Sequence, residues 1–250
     1  MELEQFFLAH PVVAVAFSGG VDSAYLLYAA KQYARKVKAY YVKTPFQPQF
    51  ELDDAVSLAN ALSSELEILT ADVLSQPEVV SNPADRCYYC KRMLFSRILS
   101  AAAADGFLCL LDGTNASDDA GDRPGMRALQ EQRVLSPLRL CGLTKAQIRS
   151  LSKDAGLFTH DKPAYACLAT RIPTGVAITP EMLQRTESAE TYLSSLGLRN
   201  FRVRMLGNGA RIQLTADDLP IIVQHREAVV RELKKYYGSV LLDLEVRHEQ

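Results

Sequence analysis

Pro11-Val12-Val13-Ala14-Val15-Ala16-Phe17 is a continuous apolar run that leads without interruption into Ser18-Gly19-Gly20-Val21-Asp22-Ser23. An unbroken run rich in β-branched residues is what a strand covered on both faces requires. After the glycines, residues 23–35 carry apolar side chains at helical spacing (Ala24, Leu27, Tyr28, Ala34), interrupted by Lys31, and residues 37–42 are strand-like again. Strand, glycine turn, helix and strand make one βαβ unit.

The alternation continues, with a helix over residues 52–62, a strand over 66–69, a helix over 92–104, a strand over 107–111 and a helix over 144–155, capped by Thr144 and stopped by Gly156. Parallel strands need crossover helices, so this pattern predicts a mostly parallel α/β sheet covered on both faces, with ligands at the strand C-terminal edge. Past Pro173-Thr174-Gly175 the style changes to helix (180–196), strand (201–206), a Gly207-Asn208-Gly209 turn, strand (210–214), helix (217–236) and strand (240–246). The chain of 250 residues exceeds a domain of ~150 residues. It is expected to hold a larger α/β domain over 1–175 and a smaller α+β domain over 176–250.

Hydrophobic residues make up 48% and charged residues 23%, which excludes a disordered or fibrous chain. Twenty-eight basic against 29 acidic residues leave a net charge of -1, so no global field favours nucleic acid or anionic lipid. The N-terminus lacks the basic start of a signal peptide, and no apolar run reaches the ~18 residues of a membrane span. Five cysteines are too few and too odd in number for a disulfide scaffold. The expectation is a soluble cytoplasmic protein with thiols available for chemistry.

The loop at residues 18–23 stands where unbonded helix N–H groups and the helix dipole favour an anion. Gly19 and Gly20 allow close approach of phosphate, Ser18 and Ser23 add hydroxyls, and Asp22 beside an anion makes most sense if Mg²⁺ bridges it to the phosphates. The lysine of a Walker A loop is absent. The plain alternative is a tight turn with an Asp/Ser helix cap. The hexapeptide SGGVDS resembles the PP-loop of the ATP pyrophosphatases. That resemblance implies a HUP-like α/β fold, ATP with Mg²⁺, and cleavage between the α and β phosphates.

Cys87 and Cys90 form a CxxC pair after the Asn82-Pro83 turn, and Cys167 lies in a later loop before Arg171. Lys91 and Arg92 next to Cys90 favour thiolates. Three cysteines fit a 4Fe-4S cluster with one open iron, zinc with a fourth ligand such as His160, or redox thiols without metal. Cys109 in an apolar strand reads as core, and Cys141 has no evident role.

Further segments carry a closer resemblance: Asn82-Pro83 with Arg86-Cys87-Tyr88-Tyr89-Cys90-Lys91, Asp112-Gly113-Thr114-Asn115 with Asp118-Asp119, Arg123-Pro124-Gly125, Ser136-Pro137-Leu138, Cys167-Leu168-Ala169-Thr170-Arg171-Ile172-Pro173 and Arg202-Val203-Arg204. Together they look like the LarE family of ATP-dependent sulfur transferases. The resemblance implies sulfur insertion into pyridinium-3,5-dicarboxylate mononucleotide, on the way to the nickel-pincer nucleotide. It implies Cys87, Cys90 and Cys167 as cluster ligands in a three-cysteine member, with sulfide or another donor supplying sulfur; in other members a cysteine at the Cys167 position is sacrificed to dehydroalanine. Lys91 is placed by its neighbours to help at the acyl phosphate, and Asp112 at a strand end, with Gly113 beside it, and Arg123 in a Gly/Pro-rich loop lie where nucleotide or substrate contacts are expected, a solvated loop being the plain alternative; the resemblance also implies a homo-oligomer. Arg202 and Arg204, two apart on a strand, share a face and can grip the substrate phosphate, with Arg171 as a third donor and Glu190 orienting an arginine or binding a cation. A solvated strand face paired to acids such as Glu190 is the alternative. The chain ends at Arg247-His248-Glu249-Gln250, short of a longer Tyr-Arg-Ser-Gly-like tail common in the family.

Three rivals remain at this level: a tRNA thiolation enzyme, which the net charge of -1 disfavours; an ATP-dependent amide ligase, which has no use for three cysteines; and a nucleotide-sensing module with structural zinc.

Overall fold

The computed structural model describes residues 2–118 and 124–247; Asp119 and Arg123 lie outside the described residues. The chain forms two units, one of Met1–Val79 with Asp85–Lys162 and one of Val80–Ala84 with Pro163–Gln250. They part at Lys162 and Pro163, ahead of the Pro173-Thr174-Gly175 break.

The first unit is built on strands β1 (Val12–Ala16), β2 (Lys36–Lys43), β3 (Leu66–Thr70) and β4 (Leu110–Leu111), in the order β3-β2-β1-β4. All three pairings are parallel, with Val13 opposite Val37 and Ala14 opposite Leu110. Helices α1 (Leu3–Ala9), α2 (Val21–Tyr33), α3 (Gln49–Ala61), α4 (Pro77–Val80), α5 (Arg86–Ala104), α6 (Pro124–Glu131), α7 (Pro137–Leu140) and α8 (Lys145–Asp154) fill the connections. Alternate β1 side chains enter two cores. Val13 and Val15 pack with Phe6, Leu27, Leu58, Leu138 and Ile148 on one face, and Ala14 packs with Tyr40, Ile98 and Leu129 on the other. This double burial is why β1 reads as an unbroken apolar run.

In this unit β4 and α5 differ from the sequence reading. β4 is shorter than expected, because Phe107 turns into the core while Leu108 is exposed, which leaves two residues to pair. α5 begins at Arg86 rather than near residue 92, with Asp85 at its N-cap, so Cys87 and Cys90 sit on its opening turns and not in the preceding loop.

In the second unit, α9 (Pro180–Ser195) begins at Thr179, whose hydroxyl accepts the Met182 N–H at 3.3 Å. β5 (Phe201–Leu206) and β6 (Gly209–Leu214) form the hairpin that the Gly207-Asn208-Gly209 turn predicts, and β7 (Ser239–Leu242) joins β6 in parallel. The helix expected over residues 217–236 is two helices, α10 (Leu219–Gln224) and α11 (Arg226–Leu233), meeting at His225, whose ψ of 14° leaves the helical region. Asn82 belongs to this unit: its amide Nδ2 donates to the Pro173 carbonyl at 2.9 Å, and its own carbonyl accepts the Gly175 N–H at 2.8 Å. Among the described residues no helix is long and apolar enough to cross a membrane.

Candidate functional site

In the first unit the chain leaves β1 toward β2 on one side, and β4 flanks β1 on the other. The C-terminal ends of β1 and β4 therefore frame the crevice where an open parallel sheet binds its ligand. Residues 18–23 leave β1 at that point. Gly19 has φ +73°, and a Cβ there would stand 3.2 Å from the Ala55 backbone, so both conformation and space call for glycine. Gly20 is the N-cap of α2 and offers no side-chain cap, which leaves the opening amides of a 13-residue helix for an anion. Ser18 and Ser23 brace the turn, Oγ to Oγ at 3.0 Å, and the Ser18 N–H donates to the Ser23 Oγ at 3.2 Å. Gly113 follows β4 and presses on the same turn: a Cβ there would lie 2.8 Å from the Ser23 backbone nitrogen.

The Asp22 carboxylate accepts the Lys145 ammonium at 2.5 Å and, more weakly, the Asn115 amide at 3.4 Å. Burial raises the Asp22 carboxyl above the ordinary carboxylate range, and Lys145 opposes that rise without cancelling it. An oxygen donor of this kind fits Mg²⁺. Asp112, 6% exposed, is occupied: its carboxylate accepts the Thr114 and Ser136 hydroxyls, each at 2.5 Å. It ties the strand end together, and both of its oxygens serve that purpose.

Cys87 and Cys90 stand one turn apart at the start of α5, Cys87 exposed and Cys90 half-buried. Three-residue spacing puts both thiols on one helix face. Arg86, buried against the Phe46 ring at 5.7 Å, donates from Nη2 to the Cys87 sulfur at 3.7 Å. The soft donor pair fits two ligand positions of an iron–sulfur cluster or zinc better than Mg²⁺. Lys91 runs over α6: a Cβ on Gly125 would lie 2.9 Å from Lys91 Cδ and 3.3 Å from Nζ. Cys167 belongs to the second unit. Among the described residues, no three His, Cys, Asp or Glu side chains form a group that could hold a metal ion.

In the second unit Cys167 opens the turn Leu168–Arg171, and its carbonyl accepts the Thr170 hydroxyl at 2.8 Å. Arg171, 1% exposed, grips the Glu190 carboxylate with Nε at 2.7 Å and Nη2 at 3.0 Å. Its Nη1 donates to the Ala166 carbonyl at 2.9 Å and the Thr170 hydroxyl at 2.8 Å. Glu190 also accepts the Tyr165 hydroxyl at 2.6 Å and the Val203 N–H at 2.8 Å. Arg171 and Glu190 thus hold the Cys167 turn to β5 and α9, and most of the Arg171 donors are committed to that.

Arg202 and Arg204 project from β5 beside this pair. Arg202, 7% exposed, donates to the Ala164 carbonyl at 3.1 Å, while its Nη1 is buried without a hydrogen-bond partner. Burial, reinforced by the charges of Arg171 and Arg247, brings the Arg202 guanidinium down to about 10. Arg204 bonds Gln213 and the Thr170 carbonyl, at 2.5 and 2.7 Å. Arg247 is a fourth cation: burial and the charges of Arg204 and Arg171 lower its guanidinium, and its Nε is also buried and unpartnered. Four arginines face one glutamate, with two buried N–H-bearing atoms unused, which is the composition of an anion site.

Sequence reasoning missed Lys145, Tyr165 and Arg247. Lys145 and Tyr165 carry no local signal, since their partners Asp22 and Glu190 lie 123 and 25 residues away. Arg247 stands in the tail that the sequence left without a role, and its proximity to Arg204 arises from β7 and the Arg247 N–H bond to the Leu214 carbonyl at 2.9 Å.

No family model matches the chain. An uncharacterized protein of Synechocystis is 36% identical over 249 residues, 97% of this chain and 92% of that protein. The pyridinium-3,5-bisthiocarboxylic acid mononucleotide synthase of Lactiplantibacillus plantarum is 33% identical over 235 residues, 93% of this chain and 85% of that protein. The tRNA-specific 2-thiouridylase of Thermotoga petrophila is 23% identical over 197 residues, 60% of this chain and 54% of that protein. Nearly full-length similarity to the synthase, joined to a loop of PP-loop form at the β1 crevice, makes this chain a member of the LarE family of ATP-dependent sulfur transferases.

Proposed function

We propose that this enzyme adenylates a carboxylate of pyridinium-3,5-dicarboxylate mononucleotide and replaces its oxygen with sulfur, giving the thiocarboxylate used to build the nickel-pincer nucleotide. The observation that carries this reading is in the second unit, where a buried arginine cluster with unpartnered donors surrounds the turn that bears Cys167. A nucleotide phosphate matches such a cluster, and the relative from Lactiplantibacillus plantarum is named for a thiocarboxylic mononucleotide.

A carboxylate is a poor electrophile, and transfer of AMP from ATP turns it into a mixed anhydride with a good leaving group. The α2 amides and the Ser18 and Ser23 hydroxyls would stabilise the departing pyrophosphate. Asp22 would hold Mg²⁺, which when bound neutralises phosphate charge. Lys91 would act at the acyl phosphate, and Arg202, Arg204 and Arg247 would hold the substrate phosphate, with Arg171 and Glu190 as positioning residues. A sulfur nucleophile then attacks the acyl carbon and AMP leaves.

Cys87, Cys90 and Cys167 would hold a 4Fe-4S cluster, which when bound supplies sulfur at an iron left without a protein thiolate, so that no cysteine is consumed. A second reading, direct sacrifice of the Cys167 sulfur, is favoured by the position of Cys167 within the arginine cluster. Thiols kept reduced in the cytoplasm and a homo-oligomer complete the proposal.

The test incubates anaerobically purified protein with ATP, Mg²⁺, the dicarboxylate mononucleotide and sulfide, and follows AMP and thiocarboxylate by mass spectrometry. AMP and thiocarboxylate in matching amounts support the function; thiolated tRNA nucleosides without thiocarboxylate would refute it. Iron and sulfide analysis, with the mass of the protein after turnover, separates the two sulfur sources. An unchanged chain over many turnovers marks the cluster route, and conversion of Cys167 to dehydroalanine after one turnover marks sacrifice.

A further inference from the structure

Glu190 faces the arginine cluster of the second unit, and its charge acts on Arg171, Arg202, Arg204 and Arg247. Yet Arg202 makes no ion pair with it among the described residues: Nη2 donates to the Ala164 carbonyl, and Nη1 is buried without a hydrogen-bond partner. Acceptor capacity explains why. A carboxylate offers about four lone-pair positions. Glu190 Oε1 accepts Arg171 Nε at 2.7 Å and the Val203 N–H at 2.8 Å, while Oε2 accepts Arg171 Nη2 at 3.0 Å and the Tyr165 hydroxyl at 2.6 Å. Every position is taken. Three of the donors are fixed by the fold, since Arg171 is buried and the Val203 N–H belongs to β5. The remaining one is a phenol from the segment that leads into the Cys167 turn.

Tyr165 also meets Arg202 through its ring, whose centroid lies 5.8 Å from the Arg202 guanidinium carbon and 4.6 Å from that of Arg171. The preceding residue completes the hold with the Ala164 carbonyl at 3.1 Å. Residues 164 and 165 therefore place the Arg202 guanidinium without using Nη1. A buried donor of this kind costs stability until an anion reaches it. Arg204 offers less, because its Nε and Nη1 already bond Gln213 and the Thr170 carbonyl.

We propose that Tyr165 is a positioning residue that keeps Arg202 available to the substrate phosphate: its hydroxyl fills the last acceptor position on Glu190 and its ring backs the guanidinium, so that Arg202 does not close onto Glu190 in the ligand-free protein. This rests on the reading of the arginine cluster as the phosphate site. The alternative is a tyrosine that only fastens the Cys167 segment to α9, and a fastener does not distinguish ligands with a phosphate from ligands without one.

Calorimetric titration of the full chain with the dicarboxylate mononucleotide and with its dephosphorylated nucleoside, alongside melting of the ligand-free protein, separates the two. Tyr165→Phe keeps the ring and opens a position on Glu190, which Arg202 Nη1 then takes. The mononucleotide is expected to bind about tenfold to a hundredfold more weakly and the nucleoside to stay within about twofold, because a hydrogen bond between charged groups is lost. The melting temperature is expected not to fall, since the Arg202 bond to Glu190 replaces that of the phenol. In an Arg202→Gln background Tyr165→Phe is expected to change neither affinity further. Tyr165→Met, which also lacks the hydroxyl, serves if the phenylalanine variant shows no melting transition. A lower melting temperature with mononucleotide affinity unchanged, an equal loss for the two ligands, or the full loss repeated in the Arg202→Gln background overturns the proposal. Wild-type protein that binds mononucleotide no more tightly than nucleoside overturns the phosphate site and this proposal with it, whereas a wild-type preference for mononucleotide that survives Tyr165→Phe removes only the tyrosine.

Discussion

Arg171 and Glu190 are joined by two parallel hydrogen bonds, Nε to Oε1 at 2.7 Å and Nη2 to Oε2 at 3.0 Å, with the arginine side chain fully buried. Burial alone would lower the Arg171 guanidinium, but the Glu190 carboxylate more than offsets this and the guanidinium is raised. The pair is a fixed partition between the Cys167 turn and α9, and it sets the charge against which Arg202, Arg204 and Arg247 stand.

Glu190→Ala leaves a buried guanidinium without its carboxylate and also removes the acceptor for Tyr165 and the Val203 N–H. The expected loss is about 3–5 kcal/mol in urea denaturation. The double replacement Arg171→Met with Glu190→Leu is expected to lose less than the single one, since no charge is stranded. A single-variant loss no greater than that of an exposed salt bridge would contradict the fixed-partition account.

Gly113→Ala drives a Cβ into the backbone of the phosphate loop, 2.8 Å from the Ser23 nitrogen. Backbone cannot yield as a side-chain tip does, so the expected cost is about 1–3 kcal/mol of stability. A loss of ATP and AMP binding should accompany it. Calorimetric titration and denaturation check both; wild-type affinity in this variant would show that the approach of β4 to the loop is not needed for nucleotide.

Gly125→Ala separates stability from chemistry. The nearest atoms to the added methyl belong to the flexible Lys91 stem, 2.9 Å away at Cδ, and alanine favours a helix by up to about 1 kcal/mol over glycine. The variant should melt no lower than wild type, while displacement of Lys91 slows sulfur transfer about tenfold to a hundredfold. Wild-type rates would remove Lys91 from the proposed chemistry.

Arg202 supplies a pH-linked prediction. Its guanidinium falls from the ordinary arginine value to about 10 through burial and the neighbouring arginines. The folded state therefore binds fewer protons than the unfolded state between those values, so the stability contribution rises with pH across that window and is lost as pH falls through about 10. At neutral pH the charge opposes folding until an anion offsets it. Arg202→Gln should raise the melting temperature of ligand-free protein at pH 7 and reduce the stabilisation that a mononucleotide phosphate confers. Thermal denaturation with and without that ligand measures both; a lower melting temperature with the ligand effect intact would refute the reading.

Much of the first unit is legible in the sequence. The double burial of Val13, Ala14 and Val15 is visible as an apolar run because neither face of β1 tolerates a polar side chain, and the glycines that end it mark the crevice because no other residue fits φ +73° against Ala55. The hairpin at Asn208 was equally plain, since its turn chemistry is local. Less visible was the start of α5, where Cys87 and Cys90 belong to the helix: the turn at Asn82 and Pro83 hides a helix that begins with polar residues and an arginine buried against Phe46.

Local pattern, then, determined the sheet, the phosphate loop and the residue types able to carry sulfur and bind phosphate, because periodicity and turn chemistry act between near neighbours. Only the tertiary structure decided which charges meet. Lys145 reaches Asp22 across 123 residues of chain, and Arg247 comes to the Arg204 cluster through β7. Electrostatic partnership depends on distance in space, and a sequence records that distance only when the partners lie within a turn or two of each other.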